Sequence, residues 1–565
     1  MANPFDQFSL ESLEVGAAPV VRHFLERLQF RSLLERHLPP VTRRPEEVPT
    51  SVTLGVLVTN LILGRQPLYA LPQWLTQQVP EHLDLQAEQV SLFNDDRIGR
   101  FLDRLDKADR ASMLTALVTR AVHEFDVQLQ QMHNDTTTVT FSGAYRGQEP
   151  ADQLDRPPHI TFGYNKDHRP DLKQLLFSIT VSNDGAVPVH CKTYDGNVSD
   201  DQIHIETWTF LRDLVGNADF LYVADCKLCT RENMCHIATR HGRFLTVMPR
   251  TRAETGWFRG YLRDHAPDWR EVRREPNPRR RSEPEIVYEG VESSQRSAEG
   301  YRVLWYRSSL KRDEDCAYRQ SCLERARASV QGLQAPGRRP FHSHAQAERA
   351  GNEAVEREGA SRWLRVRVEV RVEEVFHKIG PGRPGPDTEY RREEKLIYQL
   401  EVDEDGEALA ADALFDGLFP MVTNDENLSL EHALEKYKYQ PFVEKRHQQL
   451  KSVFEVAPVW LKSPHRVSSL LWLYFVVELV QALIEREVRR QMKKQNIERL
   501  ALYPEGRPSE APTTELVLRS LESHRRHRLQ DTDGQVVRTF YDTLPEAAEE
   551  VLDLLGVDRI AYGLK

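Results

Sequence analysis

The sequence predicts an α/β protein whose mixed sheet is flanked by helices, preceded by a helical N-terminal domain and interrupted by a β-rich insertion. Three observations predict it. The apolar period changes from three-and-four to two near Val127, Asn183-Asp184-Gly185 separates two apolar runs, and the short run Phe220–Ala224 ends abruptly in Asp225. The chain has 565 residues, 40% hydrophobic and 29% charged. That length gives a prior of roughly three to four domains, and the composition excludes collagen-like and wholly disordered chains. Only 6 Cys are present, too few for a disulfide scaffold, and the first residues lack a charged segment followed by an apolar run, so the expected compartment is the cytosol.

Residues 1–125 read as helical, with three-and-four spacing in Val56–Leu63, Ile98–Leu105 and Met113–Val122 and a cap at Asn94 or Asp95. From Val127 to Phe141 the alternation describes a strand that carries Asp135. Gln174–Val181 and Ala186–Tyr194 form a hairpin across the Asn-Asp-Gly turn. A helix at Asp201–Leu214, the buried strand Phe220–Ala224, a helix near Arg231–His241 and a strand at Phe244–Met248 follow. Residues 126–250 thus hold the first part of a mixed-sheet core.

Residues 251–425 read as a β-rich insertion. Val366, Val368, Val370 and Val372 alternate with charged residues there, Ile286–Glu289, Arg302–Tyr306 and Leu396–Val402 are further strands, and Gln334–Gly359 and Gly380–Arg391 are loops. Helices return over 426–495 and close the core, and 496–565 is a C-terminal segment with a basic helix at Glu515–Arg528 and a hairpin-like stretch. Val467–Ile484 approaches membrane-spanning length, but Glu478 and Gln481 near its end favour a buried core helix.

The net charge of -10 speaks against an overall cationic protein, although basic clusters stand at Arg240–Arg252, Arg279–Arg281, Lys436–Lys451, Arg486–Lys494 and His524–Arg528. Asp135 within a strand and Asp225 at the end of another are costly positions for an uncompensated carboxylate. A divalent cation between them is one resolution, and turn and helix capping is the other. Cys226, Cys229, Cys235 and His236 could hold zinc, but they lie at a strand end and along one helix, which favours small buried thiols.

Four segments, His133–Tyr145 (HNDTTTVTFSGAY), Gly163–Gln174 (GYNKDHRPDLKQ), Asp195–Asp201 (DGNVSDD) and Tyr222–Asn233 (YVADCKLCTREN), resemble the blocks of DDE-type insertion-sequence transposases. YKYQPFVEKRHQQLK matches the spacing of the Y-x2-R-x3-E-x6-K signature of one branch, with Tyr437, Gln440, Glu444 and Lys451 at the signature positions. Gln440 departs from it, standing where the signature has Arg.

The resemblance implies an RNase H-like fold, with Asp135, Asp225 and Glu444 as catalytic residues and ligands of two Mg²⁺ or Mn²⁺ ions. It implies Tyr437, Gln440 and Lys451 at the DNA, with Lys438 or Arg446 as substitutes for the missing Arg. Further implications are double-stranded DNA as partner (terminal inverted repeats and target), a homodimer in the DNA complex, no membrane, and a bacterial, nucleoid-associated cytoplasmic location. The N-terminal domain and the Arg486–Lys494 region are where end recognition is expected. A catalytically silent DNA-binding derivative and a nuclease of the same fold without strand transfer remain open alternatives.

Overall fold

The two-residue period that begins after Val127 becomes strand β1 (Gln131–Phe141) of a mixed sheet. β1 runs antiparallel to β2 (Lys173–Ser182), and β2 antiparallel to β3 (Pro188–Asp195). β4 (Leu221–Ala224) lies parallel to β1 on its other side, and β5 (Arg243–Val247) parallel to β4. The order across these strands is β3-β2-β1-β4-β5. β1 is therefore central, and nearly all its side chains are buried. This computed structural model describes residues 8–40, 46–143, 145, 156–166, 169–277, 283–454 and 461–564.

The β2–β3 turn needs left-handed backbone at Gly185 (φ +82), which glycine adopts freely, and at Ala186 (φ +51). The parallel strands are reached by helices, as parallel pairing requires. His204–Val215 enters β4 after Gly216 ends it at φ +78, and Arg231–Ala238, whose cap Thr230 accepts the N–H of Asn233, enters β5.

Two units make up the chain, Met1–Thr246 with Glu435–Lys565, and Val247–Leu434. In the first, the N-terminal segment is helical as expected. Asn94 caps Asp95–Asp106 by accepting the N–H of Arg97, and Asp109 caps Arg110–Phe125. The segment nevertheless opens with a strand, Phe8–Glu14, which pairs with Arg525–Asp531, itself paired with Val536–Tyr541. The basic helix expected over Glu515–Arg528 stops at Arg519. Its basic residues Arg525–Arg528 are a strand instead, because Asp531 accepts the N–H groups of Asp533 and Gln535 and turns the chain into a hairpin.

The long helix Pro464–Lys494 has the length and composition of a membrane span, but its apolar window is wholly buried within the protein. It lies against the N-terminal helices, with Arg466 paired to Asp103 and Ser469 donating to the Leu102 carbonyl.

The second unit is less β-rich than its sequence implies. Arg270–Glu275, Ile286–Glu292, Arg302–Ser308 and Leu418–Thr423 form antiparallel ladders, and Leu364–Lys378 pairs with Tyr390–Glu404 in a long hairpin. Helices Ala253–Asp264, Ser309–Leu333, His344–Arg357 and Gly406–Ala413 accompany them, so Gln334–Gly359 is largely helix rather than loop. Ala347, Gly351, Ala354 and Val355 form the buried face of His344–Arg357. Gly351 allows close approach to the hairpin, for a Cβ there would lie 2.6 Å from Val366 Cγ1.

Candidate active site

Asp135 and Asp225 come together through strand register. In the parallel β1–β4 pair, His133 stands opposite Val223; two residues further along lie Asp135, still within β1, and Asp225, just past the end of β4. β4 ends at Ala224, so Asp225 stands where the chain leaves the sheet. Its carboxylate accepts the N–H of Lys227 at 3.0 Å, while Asp135 accepts the N–H of Thr136 at 2.7 Å. Burial raises the pKa of both, Asp135 adds to the rise at Asp225, and Asp200 adds to both.

Glu444 approaches on the helix Gln440–Phe454. One turn beyond it, on the same face, His447 places Nε2 3.6 Å from Asp135 Oδ2. The Glu444 side chain is exposed, yet its pKa is raised, by partial desolvation and then by the charge of Asp135. Tyr437 is half-buried, and its hydroxyl pKa is raised by burial and by Asp225, Cys226, Glu444 and Asp135. All three acids expected from the sequence therefore share one electrostatic neighbourhood with Tyr437.

Three further side chains belong to this neighbourhood. Lys166 Nζ lies 2.9 Å from Asp200 Oδ2 and 3.9 Å from Asp135 Oδ1, and donates to Thr136 O (2.7 Å) and Oγ1 (2.6 Å). His447 is buried, and its pKa falls to about 3, through desolvation first and then the charge of Lys166. Lys166 and Asp200 lie in segments pressed together by glycines. A Cβ on Gly163 would meet the Gly196 carbonyl at 2.0 Å, one on Gly196 would meet the Gln174 carbonyl at 2.0 Å, and Gln174 Nε2 donates to the carbonyls of both Tyr164 and Gly196.

Lys166, Asp200 and His447 lie within the transposase-like segments without an expected role. Their signal in the sequence is the two glycines, Gly163 and Gly196, three and four residues before Lys166 and Asp200.

Two of the expected DNA contacts face inward and are corrected. Gln440 is 6% exposed; its Nε2 donates to Asn134 O at 3.1 Å, and Oε1 lies 3.1 Å from His133 Nδ1. Arg446 is 1% exposed and donates to Ala186 O and Gly185 O (3.1 Å each) and Gln449 Oε1 (2.8 Å). Both are fixed by the face the helix turns to β1 and to the β2–β3 turn, which spacing alone does not define. Lys438 and Lys451 are half-buried.

The Arg486–Lys494 cluster is also partly internal. Arg486 donates to the carbonyls of Phe125 and Asp126 and pairs with Asp184, while Arg489 donates to the carbonyls of Ala511 and Pro512.

Among the described residues, no three Asp, Glu, His or Cys side chains stand close enough in this conformation to hold one metal ion. The chemistry of the donors nevertheless fits magnesium or manganese. Asp135, Asp225 and Glu444 offer hard carboxylate oxygens, and the ammonium of Lys166 beside Asp135 and Asp200 marks the cleft as one that stabilises positive charge.

Residues 10–119 match a domain of unknown function, DUF4277. No curated protein matches the chain. Similar solved structures include a piggyBac transposase synaptic complex with hairpin DNA, at 8% identity over 89% of this chain and 79% of that one, TM-score 0.38. They also include a Mos1 transposase paired-end complex with left transposon end, at 13% identity over 40% of this chain and 76% of that one, TM-score 0.14. These likenesses are distant, and the functional reading rests on the chain's own residues.

Proposed function

We propose that the chain is a DNA transposase of a bacterial-type insertion sequence, with an RNase H-like core that cuts element ends and joins them to target DNA. The observation that carries the reading is Asp135 within β1 and Asp225 just past the end of the parallel β4, each two residues beyond the paired His133 and Val223, with Glu444 on a helix whose His447 lies 3.6 Å from Asp135. The sheet order β3-β2-β1-β4-β5, with two antiparallel and two parallel pairings, supports the RNase H-like assignment.

Asp135, Asp225 and Glu444 would hold two Mg²⁺ or Mn²⁺ ions. Bound there, the ions would supply Lewis acidity at the scissile phosphate and make water or a 3′-hydroxyl a better nucleophile. The chain contributes the placement. The Thr136 and Lys227 N–H groups each hold one oxygen of Asp135 and Asp225 and so orient the two carboxylates. Burial and neighbouring acids raise the pKa of the Tyr437 hydroxyl; its ring would stack on a base and its O–H would donate to phosphate. Lys451, seven residues beyond Glu444, returns to the same helical face and suits a backbone phosphate contact, with Lys438 a second cation near Tyr437.

End recognition by the N-terminal domain, a homodimer in the DNA complex and a nucleoid-associated cytoplasmic location complete the proposal. The test is a plasmid assay on DNA flanking the coding sequence. Mg²⁺-dependent cuts at the element ends and joined products are expected; cutting without joining would point to a hydrolytic nuclease, and binding without cutting to a silent derivative.

A further inference from the structure

We propose that Lys166 is a tethered counter-ion of the acidic site, its ammonium holding the ground beside Asp135 and Asp200 that a divalent cation must take, and that it swings out when the cation enters. The inference rests on the reading of Asp135, Asp225 and Glu444 as a cation site.

Four distances define the placement: 2.9 Å to Asp200 Oδ2, 3.9 Å to Asp135 Oδ1, 2.7 Å to Thr136 O and 2.6 Å to Thr136 Oγ1. Asp200, the Thr136 carbonyl and the Thr136 hydroxyl can thus engage the three ammonium donors. The group balances a carboxylate cluster that would otherwise repel itself. The same charge opposes any second cation beside Asp135, because like charges a few ångströms apart in a poorly solvated cleft repel strongly.

The backbone at the base of this side chain is fixed. Gly163 and Gly196 let its segment pass against that of Asp200, and Gln174 ties the two together. The flexible stem can still redirect the ammonium, and at 29% exposure it has a route to solvent.

A second observation points to a ligand at this place. His447 is 6% exposed, its Nε2 is 3.6 Å from Asp135 Oδ2, and no side chain hydrogen-bonds either ring nitrogen. A buried imidazole aimed at a carboxylate without a side-chain partner is costly as a purely structural element. It fits a cleft that a ligand completes.

The probe is Mn²⁺, titrated into the full-length protein and followed by the electron paramagnetic resonance of the free ion. Lys166→Met should bind Mn²⁺ at least tenfold more tightly than the wild type, about 1.4 kcal/mol. Lys166→Arg, which keeps the charge, should stay within about threefold of the wild type. Equal or weaker binding by Lys166→Met overturns the inference while leaving the cation site standing. No Mn²⁺ binding by either protein overturns both.

A measurement on the wild type guards against a variant that fails to fold. Saturating Mn²⁺ should raise acetylation of Lys166 by a small-molecule acylating agent severalfold, read by mass spectrometry, because the ammonium leaves its partners. Unchanged or reduced modification overturns the inference.

Discussion

Arg446 was expected from the sequence to substitute for a DNA-binding arginine, and its burial makes the opposite prediction for Arg446→Met. The guanidinium donates to the carbonyls of Gly185 and Ala186, the two left-handed residues of the β2–β3 turn, while Tyr439 Oη accepts the Ala186 N–H. Its charge also lowers the pKa of Glu485 and opposes the rise at Glu478. Removing it strands two carbonyls and withdraws a buried positive charge from two carboxyls. Hydrogen bonds to a charged group contribute about 1.5–3 kcal/mol each, and breaking a buried ionic arrangement costs about 3–5 kcal/mol. The second range is the better guide, since the terms overlap. In a body of this size, 1 kcal/mol corresponds to a melting shift of about 1–2 °C, so the loss should be about 3–10 °C.

The companion assay is the salt dependence of DNA binding below the melting range, because a lost phosphate contact flattens the log–log slope by about 0.9. An unchanged slope with a lowered melting temperature is expected. A slope reduced by about one contact at unchanged stability would refute the inward assignment.

Other perturbations give equally definite expectations. Asp135→Asn, Asp225→Asn and Glu444→Gln should each reduce cleavage at least 10³-fold, about 4 kcal/mol of barrier, with DNA affinity in gel-shift titrations changed less than threefold. Gln440→Arg places a cation among His133, Asn134 and β1, so it should lower the melting temperature rather than raise activity; a faster enzyme of normal stability contradicts this. Glu478, buried with both oxygens unpaired, has its pKa pushed up to about 8 by desolvation. Between the ordinary carboxyl range and pH 8 the folded state therefore binds more protons than the unfolded one, and stability falls as pH rises through that window. Glu478→Gln should accordingly gain melting temperature relative to the wild type at pH 8.5 and little at pH 4.5, a pattern thermal unfolding at the two pH values will reveal. Gly185→Ala should destabilise, since the new Cβ meets the Arg486 side chain at 2.9 Å in a left-handed backbone, and an unchanged melting curve would argue against this turn geometry.

The parts of the fold that the sequence made legible are those specified locally. Strand β1, the Asn-Asp-Gly hairpin, β4 and the Asn94 cap each depend on neighbours within a few residues, and all stand within a few residues of their expected bounds. What escaped depends on distant partners. The helix His344–Arg357 looks like a charged loop until its small residues meet the long hairpin, and Arg525–Asp531 becomes a strand because Phe8–Glu14 pairs with it. At the site, spacing correctly put Glu444 and Lys451 on one helix but gave no hint of which side of it would face β1, so Gln440 and Arg446 were assigned to DNA. Lys166 and Asp200 meet across 34 residues and His447 meets Asp135 across more than 300, separations that periodicity does not reach.

The most direct measurement of the central idea is metal-specific rescue of Asp225→Cys on plasmid DNA carrying the sequences that flank the gene. A thiolate is a poor magnesium ligand and a better one for manganese. If Asp225 binds the catalytic ion, the variant should be inactive in Mg²⁺ and recover cleavage at least tenfold in Mn²⁺. Wild-type cleavage rates for Asp225→Cys in Mg²⁺ would contradict the account.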